Sequence, residues 1–258
     1  MSGDLISEQR FYDHRWATSQ IGEKELERAS TTVSAIPSDC ASILDVGCGD
    51  GLVAFEAQRR TGAKLALLDF SFVALGRIQG QRFCASAHQL PFADQSFDLV
   101  MTTEILEHIP ESLYPLVLRE LARVSRRYVL ITVPNQENLT ENLARCDKCG
   151  ARFHLWGHVR RYSPQLLRDM MPGYKAARIQ PFGNTYVTYH PWLLSVKQNL
   201  GGAWVWEENR TSCLTCGNTV APRTSHPFVG RVCDALNYRV WKYFGRQESW
   251  ILALYQRS

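Results

Sequence analysis

The sequence predicts an α/β fold, doubly wound around a mostly parallel sheet, with a helical cap before it and an insertion late in the chain. Short runs that are apolar throughout, SILDVG from Ser42, KLALLD from Lys64, FDLVMTT from Phe97 and RYVLITVPN from Arg127, alternate with helical segments. Strands buried on both faces of a parallel sheet read this way. The first run ends in a glycine-rich turn, ILDVGCGDG at residues 43–51, which opens a helix, as in folds that bind a nucleotide-like ligand beside the first strand. The chain has 258 residues, 45% of them hydrophobic and 21% charged, enough to bury a core.

Residues 1–38 form the expected cap: GEKELERASTTVSAI has charges and apolar positions at helical spacing, and Pro37 stops it. Residues 39–180 make the core, with helices expected at Leu52–Arg60, Phe72–Gln79 and Tyr114–Val124 between the strands. After Pro134 the rhythm breaks into a loop at 136–162 rich in Asn, Cys, Gly, His and Arg. SPQLLRDMM then reads as a helix, with Ser163 as N-cap and Pro164 at its first position, and YKAARIQ as a strand. An aromatic-rich insertion is expected at 181–246 and a final strand of the core at 247–258, around SWILALYQ.

The net charge of +4 is mild and the basic residues are scattered, so composition makes no strong case for nucleic acid, though it leaves that partner open. The N-terminal stretch lacks the order of a secretory signal, and no run of 18 apolar residues occurs, so a cytoplasmic protein without a membrane span is expected. Eight cysteines in a reducing compartment point to metal or redox chemistry rather than disulfides. Four fall in matching pairs, C-D-K-C-G at Cys146 and Cys149 and C-L-T-C-G at Cys213 and Cys216. These read as knuckles of one structural zinc site, closed to substrate, that ties the insertion to the loop after the fifth strand.

In the turn, Gly47, Gly49 and Gly51 permit close backbone approach, while Asp45 and Asp50 suit a cationic ligand better than a phosphate. Asp69, about 20 residues on at the end of the second strand, suits ribose hydroxyls. ILDVGCGDG, LLDFS, ASAHQLPFADQSFDLVMTTEILEHIP and ITVPN closely resemble, in order and spacing over residues 42–135, the class I S-adenosylmethionine-dependent methyltransferases, in particular the type 11 group. The resemblance implies the Rossmann-like methyltransferase fold, with a mostly parallel seven-stranded sheet, and S-adenosylmethionine as donor. It puts Asp45, Gly47 and Gly49 along the methionine part, Asp69 on the ribose, Phe70 beside the adenine, Ser86 and Ala87 at its edge, and Thr103 near the sulfonium. Ser86 stands where the family usually has Asp. FYDHRW resembles the family's cap segment, so Tyr12 and Trp16 are candidate donor contacts.

A hydroxyl acceptor is helped by a base of near-neutral pKa, for which His108, His154 and His158 are the candidates. The expected activity is therefore O-methylation of a small or medium acceptor, such as a glycan, nucleotide-sugar or natural-product intermediate. Two alternatives remain: an RNA methyltransferase, on the knuckles and the Arg/aromatic-rich segment 152–162, and a catalytically inactive methyltransferase-fold binding partner. E-x-x-E-H, at Glu104, Glu107 and His108, also resembles the divalent-cation motif of ubiquinone-pathway and small-RNA methyltransferases. A cation there requires the three side chains to converge.

Overall fold

The computed structural model describes residues 13, 16, 22–206, 211–213, 215–221, 226–243 and 245–258. Tyr12, one of the expected cap aromatics, lies outside them. Strands β1 (Ser42–Val46), β2 (Lys64–Asp69), β3 (Arg82–Cys84), β4 (Phe97–Thr103) and β5 (Ser125–Pro134) alternate with helices α2 (Leu52–Thr61), α3 (Phe72–Leu75) and α4 (Tyr114–Val124), after α1 (Glu23–Ser34). Strands β8 (Tyr174–Val187) and β9 (Arg246–Arg257) complete a seven-stranded sheet in the order β3-β2-β1-β4-β5-β9-β8. The pairings from β3 through β5 are parallel, and β9 runs antiparallel to both β5 and β8.

Consecutive strand residues feed opposite layers, as a pleat requires. Leu44, Leu68, Val100 and Ile131 pack under α4, while Ile43, Leu67, Leu99 and Leu130 pack with Ala29 and Val33 of α1 and with α2. Both sheet faces are thus covered, which explains the uninterrupted apolar runs. Strand order reverses between β1 and β4, so their carboxyl ends open a crevice, the usual ligand position in this architecture.

Several elements differ in extent from the expectation. Helix α3 stops at Leu75 with Gly76 as its C-cap, well short of Gln79. Helix α5 (Pro164–Arg168) does start at the Ser163 cap, whose hydroxyl accepts the Leu166 N–H at 3.2 Å, but it ends by Asp169. Strand β8 continues through Pro181 to Val187; it is the sheet's edge, where a residue without an N–H costs no ladder bond. Helices α6 (Pro191–Asn199) and α7 (Pro227–Val240) then pack together, and the aromatic-rich composition did not announce them. A hairpin of β6 (Leu143–Arg145) and β7 (Arg152–His154) stands on its own beside the main sheet. No helix among the described residues is long and apolar enough to cross a membrane.

Candidate active site

A cleft of about 810 Å³ opens at the reversal point of the sheet. One half is built by the glycine turn and the ends of β2 and β3. Gly47 and Gly49 take φ of 76° and 55°, and a Cβ on Gly47 would lie 2.3 Å from Ile105 Cδ1. A Cβ on Gly49 would lie equally close to Trp16 Cη2, so the cap aromatic rests directly on the turn. The Asp69 carboxylate accepts the N–H of Gly49 and that of Ser71, each at 2.8 Å, which locks the turn to β2. Burial raises its pKa despite these bonds. Asp45 is 1% exposed, with Oδ1 lacking a hydrogen-bond partner among the described residues. Burial, then the Asp69 and Asp50 carboxylates, push its pKa up to about 8. A buried acceptor of this kind suits a cationic or hydrogen-bond-donating ligand group.

Of the residues expected on this side, Trp16, Gly47, Asp69, Phe70, Ser86 and Ala87 line the cleft. Asp45, Gly49 and Thr103 stand behind that lining. The Ser86 hydroxyl is bonded to His88 Nδ1 at 2.6 Å.

The opposite half is made by the segment after β4 and by the loop after β5. Glu104, with φ of 57°, turns the chain out of β4 into a 3₁₀ turn at Leu106–His108. Its carboxylate accepts Trp250 Nε1–H at 2.8 Å, with Arg28 at 3.9 Å. It is thereby drawn away from the ligand set expected with Glu107 and His108. Glu107 and His108 instead come within 4.8 Å of His158, measured between one ligand atom of each. Glu107 is fully buried, and neither carboxyl oxygen has a hydrogen-bond partner among the described residues. Burial, then the Glu104 carboxylate, hold its pKa well above the ordinary value.

His158 arrives there because the loop after β5 folds back. Gln136 N–H bonds to Tyr162 O at 2.8 Å, Gly157 turns at φ of 78°, and Val159 N–H bonds to Glu107 O at 2.8 Å. The His108 and His158 rings meet edge to face at 4.7 Å between centroids, and His154 stacks on the far side of His158 at 4.6 Å. His108 and His158 line the cleft, while His154, 6% exposed, backs them. Glu137 also lines the cleft, with Oε2 at 2.5 Å from His158 Nδ1 and Oε1 at 3.4 Å from His154 Nε2. Sequence reading missed Glu137: a single Glu in a loop carries no spacing signal.

A methyltransferase domain model matches residues 44–150. The chain is 37% identical over 95 residues to the methyltransferase GfsG of Streptomyces halstedii, covering 33% of this chain and 34% of that one. It is 32% identical over 167 residues to the demethylmenaquinone methyltransferase of Roseiflexus castenholzii, covering 62% and 66%. Across the curated relatives it matches, the chain spans about a third to two thirds of their length. An S-adenosylmethionine-dependent methyltransferase from Archaeoglobus fulgidus has the same fold, with a TM-score of 0.54 over 98% of this chain and 99% of that one at 16% identity. The chain belongs to the class I S-adenosylmethionine-dependent methyltransferases.

Four thiols also cluster at the edge of the matched region. Cys146 Sγ lies 3.7 Å from Cys216 Sγ, Cys149 Sγ lies 3.6 Å from Cys213 Sγ, and all four are within 4.8 Å of one another. A tetrahedral zinc site with bonds of about 2.3 Å has sulfur edges of roughly 3.8 Å, so the spacing fits. Each knuckle closes in the same way: Gly150 N–H bonds to Cys146 O and Gly217 N–H to Cys213 O, both at 2.8 Å, with φ of 75° and 69°. Cys146 and Cys149 occupy the turn of the β6–β7 hairpin, and Phe153 and Trp206 pack beside them. His154, at the end of β7, points into the Glu137–His158 group and not to the thiols.

Proposed function

We propose that the chain transfers a methyl group from S-adenosylmethionine to a hydroxyl oxygen of a small or medium-sized acceptor, with His158 receiving the hydroxyl proton. The observation that carries this reading is one cleft with two unlike halves: the glycine turn with Asp69 on one wall, and an imidazole backed by a carboxylate on the other. In the donor half, Asp69 accepts from the ribose hydroxyls, Phe70, Ser86 and Ala87 border the adenine, and Trp16 closes over the turn. Gly47 and Gly49 leave room for the methionine part, with Asp45 beneath and Thr103 near the reacting end. S-adenosylmethionine supplies there a methyl carbon already activated by its sulfonium. The chain's own task is then to orient the acceptor in line, exclude water and take up one proton. An O–H bond breaks, an O–C bond forms, and S-adenosylhomocysteine leaves with the former bonding pair.

His158 suits proton uptake because the Glu137 carboxylate at 2.5 Å stabilises the imidazolium that forms. Transfer of labelled methyl from S-adenosylmethionine to a panel of catechols, saccharides and nucleotide sugars tests this. The expected result is transfer to oxygen, reduced at least about 100-fold in His158→Gln. Full activity in that variant contradicts the assignment. The RNA alternative loses support, because Arg160 lies over the Tyr114 ring at 3.7 Å and pairs with Glu111, and Tyr162 is fully buried.

One observation favours a cation in the same wall, namely the unpartnered carboxylate of Glu107 beside His108 and His158. In that reading these three hold a divalent ion that orients the acceptor oxygen, and Glu104 remains with Trp250. Titration with Mn²⁺ followed by calorimetry distinguishes the readings: binding that disappears in Glu107→Gln favours the ion, and no binding to the parent removes it.

The thiol cluster holds a structural zinc in this proposal. A closed site of four thiolates leaves no position for a substrate, so its role is to hold the hairpin that leads into His154 and His158.

A further inference from the structure

We propose that Glu137 is a positioning residue that sets the tautomer of His158 on the acceptor wall, so that His158 presents Nε2 as a lone pair to the cleft. The inference rests on the reading of His158 as the acceptor-side group and assigns what determines the state of that ring.

The hydrogen bonds around His154 fix one end of the chain of donors. Its Nδ1 accepts the backbone N–H of His158 at 3.1 Å and is approached by that of Trp156 at 3.4 Å. A ring nitrogen that accepts two backbone N–H groups carries no proton, so the proton of neutral His154 is on Nε2. That nitrogen faces Glu137 Oε1 at 3.4 Å. The same oxygen accepts Asn142 Nδ2–H at 3.1 Å. Glu137 Oε1 is thus engaged by Asn142, with the His154 ring beside it, and Oε2 is left for His158.

The Oε2 to Nδ1 separation of 2.5 Å requires a proton between them, and the groups around the carboxylate keep it ionised. Oε1 accepts Asn142 Nδ2–H and has the His154 ring beside it, an environment that favours the ionised carboxylate. The proton is therefore on His158 Nδ1. In a neutral imidazole the other nitrogen then has the lone pair, and Nε2 is the only ring nitrogen left for a group in the cleft. The stacked arrangement of His154 on His158, 4.6 Å apart and 18° from parallel, lets the two rings share one carboxylate. Sequence supplies this through Gly157, whose left-handed turn brings residues 154 and 158 to the same side.

The chemistry predicts what an amide would do at this position. In Glu137→Gln the single carbonyl oxygen stays with the Asn142 donor, and the NH₂ group is turned toward His158 Nδ1. That nitrogen must then accept, the ring proton moves to Nε2, and the lone pair is withdrawn from the cleft.

The test is a long-range ¹H–¹⁵N correlation spectrum of the ¹⁵N-histidine-labelled protein, recorded without added divalent cations at about pH 8.5, where histidine is neutral at its ordinary value. His158→Gln and His154→Gln assign the two rings. The expected parent spectrum has His158 protonated on Nδ1 and His154 on Nε2. The expected Glu137→Gln spectrum has His158 protonated on Nε2, and Glu137→Asp restores the parent pattern. His158 protonated on Nε2 in the parent, or unchanged in Glu137→Gln, overturns the proposal; the parent spectrum decides even if a variant does not fold. Calorimetry with S-adenosylmethionine on the same samples separates this from the functional reading. Loss of donor binding in the parent refutes methyl transfer and leaves the tautomer assignment standing.

Discussion

Gly47 has no room for a side chain: its φ is 76°, and a Cβ would meet Ile105 at 2.3 Å. Gly47→Ala is expected to cost about 1–2 kcal/mol from backbone handedness alone. In a chain of this size that lowers the thermal midpoint by roughly 2–8 °C, which scanning calorimetry measures. Asp45, two residues earlier, is constrained electrostatically. Unfolded, its carboxyl titrates near about 3.9; in the folded protein burial moves it up to about 8. Between those values the native state keeps a proton that the unfolded state has released, so stability falls as pH rises through the window and levels off above it. The parent is therefore expected to lose stability relative to Asp45→Asn between about pH 4 and pH 8, by an amount on the order of 5 kcal/mol. Parallel pH profiles for the two proteins would contradict the raised pKa. At this scale the tight turn at Gly47 and Gly49 was legible, because glycines at fixed spacing after a strand end favour positive φ. Glu137 was not legible, since its meaning comes from a loop that returns through the Gln136–Tyr162 bond.

Elements were legible where burial imposes a pattern. Strands β1, β2, β4 and β5 are covered on both faces and read as apolar runs. Helices α6 and α7 were missed because they bury little: Leu194 and Gln198 in one, and Gly230, Cys233 and Asn237 in the other. An amphipathic stripe made of Gly, Cys and Asn carries no hydrophobic period. The continuation of β8 past Pro181 was hidden too, since proline ordinarily argues against a strand and only the edge position permits it. The β6–β7 hairpin is short for independent stability, three residues a strand, and a metal can supply what its core lacks. Purified protein is expected to contain about one zinc per chain. Cys146→Ser should lose that zinc and expose the amides of residues 152–158 to faster hydrogen exchange. Unchanged exchange there would show that the cluster does not brace the histidine loop.

At the scale of the whole molecule, strand order concentrates the site. The reversal between β1 and β4 brings the glycine turn and the Glu104–His108 segment to the same crevice, and the loops after β2 and β5 close its sides. The cap contributes Trp16 above the turn, and Arg28 reaches from α1 to Glu104. The insertion is tied in by Cys213 and Cys216 and by bonds from Tyr189 to Glu141 and from Gln198 to Thr140. Glu141 itself lines the cleft, so the bond from Tyr189 lets the late segment support a wall of the cleft.

If the glycine-turn half of the cleft holds S-adenosylmethionine, isothermal calorimetry of the chain with that ligand will register it. Saturable binding of one S-adenosylmethionine per chain is expected, weakened at least about tenfold in Asp69→Ala, the equivalent of losing about 1.4 kcal/mol. No binding to the parent, or equal affinity in the variant, would contradict it.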